Sequence, residues 1–143
     1  MSKKENDRSQ KGNKGDNNSK ISKNVLIKNV DLVFKRTDDT KKYNEFYLKE
    51  LEKYVEEYLK KSITKTQMRN IFETFKSCKS NDEMKLLKPK LMYFAGRINN
   101  NNTKLFMKQL IELIDKMEDE NDYKHMQKLV ESTLAYHKYY AEK

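Results

Sequence analysis

Cysteine, tryptophan, proline and glycine are scarce in this sequence: one Cys, no Trp, one Pro and three Gly in 143 residues. A single cysteine, Cys78, excludes an internal disulfide and fits a reducing compartment. So few glycines and prolines argue against an all-β or α/β domain, which needs many turns. No run of seven or more apolar residues follows the basic start, so no secretory signal is expected. No stretch approaches the roughly 20 apolar residues that span a bilayer. The expectation is a soluble, cytoplasmic protein with no membrane partner. Histidine is also rare, with only His125 and His137.

What is abundant is lysine, glutamate, leucine and methionine, all helix formers. The length suits one domain that holds its core without metal or disulfide. The predicted fold class is all-α, a compact five-helix bundle with a disordered basic N-terminal extension. Residues 1–22 have almost no apolar content and are expected to be a disordered tail. Residues 23–39 are expected to form a short arm or helix packed on the domain. Residues 40–143 are expected to be the helical bundle domain.

Apolar residues recur at three- and four-residue steps in five stretches. The first runs from about Thr40 to Lys60, with N-cap choices at Asp38, Asp39 and Thr40. Its four tyrosines suggest core or interface positions with wet hydroxyls. The second opens on a capping box, Thr64 with Gln67, and carries Met68, Ile71, Phe72 and Phe75. The third spans about Asp82 to Ile98, with Pro89 opening its main helix and Gly96 expected at a close-packing point. The fourth runs from about Thr103, its expected cap, to Met117, and the fifth from about Asp122 to Tyr140.

No arrangement of residues suits catalysis. The two histidines stand twelve positions apart on one helix, about 18 Å along its axis, and cannot share a metal. Asp122 and His125 form a D-x-x-H pair, but a di-iron bundle site needs two such pairs and further carboxylates. No glycine-rich phosphate loop is present. The chain is expected to be no enzyme and to need no metal or cofactor.

Charge gives the sharper signal. Net charge is +9, and residues 60–108 hold 12 Lys and Arg against 3 Asp and Glu. Residues 109–143 hold 5 against 8. A field of one sign draws in polyanions. At about 100° per residue, Lys65, Arg69 and Lys76 share one helix ridge beside the apolar stripe. Lys90, Tyr93 and Arg97 share a second ridge on the following helix, with Lys88 near its start. Lys104 and Lys108 are an i, i+4 pair on the next helix. Cations around an aromatic suit phosphate contact and base stacking. The plainer alternative for each is a solvated charge.

Two segments carry a family resemblance. ITKTQMRNIFETFK, residues 63–76, is similar to the I-T-x-[ST]-Q-[LM]-R opening of the basic helix in the small subunit of type III-A (Csm) CRISPR effector complexes. LLKPKLMYFAGR, residues 86–97, resembles that family's L-K-P-K-L-x-Y-x-A-x-R segment. Met92 and Phe94 depart from it, standing where small residues are common. The resemblance implies a non-enzymatic five-helix bundle. Several copies would stack head to tail beside the backbone subunits that hold the CRISPR RNA, with the large signature subunit as a further partner. It implies contact with the backbone of the guide or of target RNA, or of single-stranded DNA, without sequence reading. Lys65, Arg69, Lys88, Lys90 and Arg97 fall on the family's binding positions. The alternatives from other classes are a free-standing helix-turn-helix-like nucleic-acid binder and a scaffold that binds only proteins.

Overall fold

The computed structural model describes residues 20–141. The expected disorder of residues 1–22 therefore lies almost wholly outside the described residues. Every regular element among the described residues is helical, so the chain is all-α. Two short helices, α1 (Val25–Lys28) and α2 (Val30–Val33), come first. Five longer ones form the bundle: α3 (residues 40–59), α4 (Lys65–Lys76), α6 (Lys88–Arg97), α7 (Asn101–Asp115) and α8 (Asp122–Ala141). The single-turn α5 (Asn81–Lys85) precedes α6.

Within α3 the apolar residues Tyr47, Leu51, Val55 and Leu59 recur every four positions. In a straight α-helix such a row rotates forward by roughly 40° per step and would leave the core. Two π turns, Phe46–Glu50 and Val55–Leu59, widen the helix and take up that drift. Leu51, Val55 and Leu59 consequently all stay fully buried. Each such side chain contributes about 1.5–3 kcal/mol relative to exposure.

The helix ends follow the sequence in part. Asp39 Oδ1 accepts the Lys42 N–H at 3.0 Å and caps α3. Thr64 and Gln67 close the capping box at α4, with bonds of 3.0 and 2.9 Å. Pro89 sits in the first turn of α6, where its missing N–H costs nothing. Thr103 does not cap α7; Asn100 Oδ1 does, accepting from Asn102 and Thr103 N–H. The Thr103 hydroxyl instead donates to the Ser62 carbonyl at 2.7 Å, tying α7 to the α3–α4 link. Gly96 is no close-packing point either, because a Cβ added there would meet nothing within 4 Å.

α8 lies along α4 and the second half of α3, and α7 lies along α6. The core between them is lined by Phe46, Tyr54, Met68, Phe75, Phe106, Leu110, Leu113 and Met126. α1 packs on α7 and α3, burying Val25 and Leu26, and α2 packs on α8. The tyrosine hydroxyls of α3 bond within the protein, contrary to the expectation of wet ones. Tyr47 donates to the Val33 carbonyl and Tyr58 to the Ile21 carbonyl. Tyr54 accepts from Gln109 and Tyr43 from Lys128.

Candidate nucleic-acid interface

α6 runs with one flank open. Its buried side, Leu91, Ala95 and Ile98, faces the core. On the opposite flank Lys90, Tyr93 and Arg97 are exposed, as their spacing predicted. Tyr93 is 68 % exposed, and the Arg97 guanidinium lies over its ring, 5.6 Å from the centroid. Beside this ridge a groove separates α6 from α4. One part, of about 390 Å³, is lined by Asn70, Glu73 and Thr74 on α4 and by Lys90, Leu91 and Phe94 on α6. Its continuation, of about 300 Å³, is lined by Gln67, Tyr93, Phe94, Arg97 and Ile98. The polar α4 wall was not legible as a site. Gln67 read only as a cap, and Asn70 and Thr74 carry no charge to draw notice.

The second ridge lies elsewhere. Lys65, Arg69 and Lys76 are exposed on α4. At about 100° per residue they point roughly 130° away from the α4 wall that lines the groove. The structure therefore brings Lys90, Tyr93 and Arg97 together and leaves the Arg69 ridge on a separate face. Lys76 is drawn over the Phe72 ring, 5.6 Å from its centroid. Lys88 is engaged with Asp115 of α7, its Nζ 3.0 Å from each carboxylate oxygen. That pair neutralises Lys88 locally and ties the start of α6 to the end of α7. Lys104 and Lys108 line a third place, a groove of about 430 Å³ between α6 and α7, with Met92, Gly96, Ile111 and Glu112.

Asp122 and His137 have structural work. Asp122 is buried and accepts from the Arg36 guanidinium at 2.7 Å and from the Glu118 and Asp119 N–H at 2.8 and 3.0 Å. Burial opposes its charge, but these donors outweigh it and hold the carboxyl below its usual range. Burial pushes the His125 pKa down; Asp122 opposes this, while Lys128, Lys35 and Arg36 add to it. His137 is buried with Nε2 2.8 Å from the Ile63 carbonyl, so that nitrogen carries the proton. Burial raises the Cys78 thiol pKa, which disfavours the reactive thiolate. Among the described residues no cluster of three His, Cys, Asp or Glu could hold a metal. No helix among them is long and apolar enough to cross a membrane.

The fold and this flank define a small all-α bundle with a basic, aromatic-centred face. Residues 41–143 match the family model Csm2 Type III-A, and the chain belongs to that family. It is thereby a small subunit of a type III-A CRISPR complex, a structural component within it. Comparison with curated proteins and with solved structures gives no significant match.

Proposed function

We propose that this subunit binds the backbone of RNA in the complex without reading sequence, and that several copies stack head to tail along it. The observation that carries the reading is the α6 flank, where Lys90 and Arg97 stand exposed on either side of Tyr93 in a chain of this family. Cations on a rigid helix can follow a phosphate track, while specificity is left to base pairing with the guide. The RNA is the CRISPR RNA or its paired target, and a displaced single DNA strand offers the same chemistry. The backbone subunit and the large signature subunit are the protein partners, and the complex works in the cytoplasm. The subunit performs no catalysis: Asp122 is committed to Arg36 and the turn before α8, and His125 has no second carboxylate–histidine pair to work with. It takes no cofactor.

Stacking follows from the uneven charge. Residues 60–108 are strongly basic and residues 109–143 acidic. Unlike surfaces on one molecule permit head-to-tail contacts that do not close into a ring. The test is to co-express the chain with the other subunits and guides of different length, then count copies by native mass spectrometry. Copy number should rise with guide length, and RNA should co-purify. One copy at every length would overturn the stacking.

A further inference from the structure

Backbone binding leaves the exposed ring of α6 without a purpose. Phosphates call for cations and hydrogen-bond donors, and neither use needs the flat face of a ring. Six of the nine tyrosines have hydroxyls bonded within the protein: Tyr43, Tyr47, Tyr54, Tyr58, Tyr136 and Tyr140. Tyr93 differs. Its ring is 68 % exposed, and its hydroxyl has no hydrogen-bond partner among the described residues. Arg97 lies over the ring, which leaves the other face for a flat group.

Next to this ring is the groove of about 300 Å³, floored by Phe94 and Ile98 and bordered by Gln67. Gln67 Oε1 is held by the Thr64 N–H in the capping box at 2.9 Å, which fixes the amide. Its Nε2 donor has no partner among the described residues. Lys90 stands in the adjoining stretch of groove, seven residues or about 10 Å along the helix from Arg97. The arrangement is a ring, an apolar floor, one fixed donor and a cation at each end, with the Glu73 carboxylate across the groove from Lys90.

We infer that the α4–α6 groove takes one unpaired base of single-stranded RNA, stacked on Tyr93, with Lys90 and Arg97 on the phosphates to either side. This deepens the backbone-binding reading and rests on it. A base in a duplex is stacked on its neighbours and offers only its edge, so the ring selects single strands. Every base has a π-face, so the selection is blind to sequence. The Gln67 donor does not alter that, because all four bases carry acceptor atoms on their edges.

The experiment uses the full chain and an RNA of about 15 nucleotides, within the site sizes such stacking surfaces cover, carrying a central 2-aminopurine. The same strand paired with its complement is the second probe. Binding of the single strand should change the 2-aminopurine fluorescence. Tyr93→Ala should weaken single-strand binding by about 5- to 150-fold, the loss expected for one base–aromatic stack. Tyr93→Phe should keep the affinity, and neither variant should alter duplex binding or the salt slope. Equal losses on both probes, no loss on either, or a Phe variant that behaves like the Ala variant would overturn the inference. If Lys90→Ala/Arg97→Ala weakens both probes while Tyr93→Ala is silent, stacking fails and backbone binding stands. If the unaltered chain binds neither probe, both readings fail.

Discussion

Asp122 accepts three hydrogen bonds from the chain around it, and one of them comes from Arg36, eighty-six residues earlier. In sequence it read as half of a D-x-x-H fragment, because the partner that occupies it lies in the arm. His125 beside it is half-buried. The arithmetic of spacing could exclude a shared metal site, but it could not supply these partners. Lys88 teaches the same lesson from the other side. It matched a binding motif, and its nearest group is the Asp115 carboxylate. Asp122→Asn should cost about 1.5–3 kcal/mol at neutral pH, the range for hydrogen bonds to a charged group. The folded chain holds this carboxyl below its ordinary 3.8, so its stabilisation is complete above that value. It is lost as pH falls through the lower folded value. Urea unfolding at neutral pH and again well below pH 3.8 should show the deficit of the variant shrinking in acid. His125, also held below its ordinary 6.5, adds a decline in stability that begins higher, as pH falls through about 6.5. The two declines begin at different pH, and His125→Gln should remove the upper one alone.

Among the elements, those set by local pattern were legible and those set by distant partners were not. The capping box at Thr64 and Gln67 needs only four residues, and it forms as read. The stripes of α4 and α6 need only helical periodicity. The π turns of α3 left no mark in the spacing beyond a run of four-residue steps. The arm was ambiguous because its fixing residue, Gln109, sits in the middle of α7. Gln109 Oε1 accepts from the Leu26 and Ile27 N–H, both at 3.1 Å, and its Nε2 donates to the Lys23 carbonyl at 2.8 Å. One buried amide thus satisfies the otherwise orphaned start of α1. Residues 20–40 lie outside the family match, yet Leu26 and Val33 are fully buried. Gln109→Leu should leave those backbone groups unpaired and cost about 1–3 kcal/mol for each one that finds no water. Hydrogen exchange should rise at residues 24–28 while α8 stays protected. Uniform loss of protection across the chain would mean that the arm and bundle unfold as one unit.

For the whole molecule, composition already set the fold class. Few turn formers and an abundance of helix formers pointed to the all-α bundle, and the basic middle is what motivates the proposal of a polyanionic partner. The sequence did not reveal which cations share a surface. Lys65, Arg69 and Lys76 fit one ridge and Lys90 and Arg97 another, but α4 turns the first ridge away from the groove that the second borders. The two arginines are therefore independent tests, and Arg97 is the one beside the groove. A control must also respect the fold. Lys128 donates to Tyr43 and lies over two tyrosine rings, so removing it would disturb α3. Lys124 and Lys138 are exposed on α8 and carry the same charge.

The central claim is that the α6 flank binds RNA backbone, and the salt dependence of binding tests it most directly. With about three to five phosphates neutralised, log affinity for single-stranded RNA should fall against log salt with a slope of roughly −2 to −3.5. Lys90→Ala/Arg97→Ala should weaken binding equally across sequences and flatten that slope by about 1.4, two phosphate contacts. Lys124→Ala/Lys138→Ala should leave the slope near that of the unaltered chain. Equal loss of affinity and slope from both pairs would contradict the account, because net charge alone, and no built flank, would then hold the RNA.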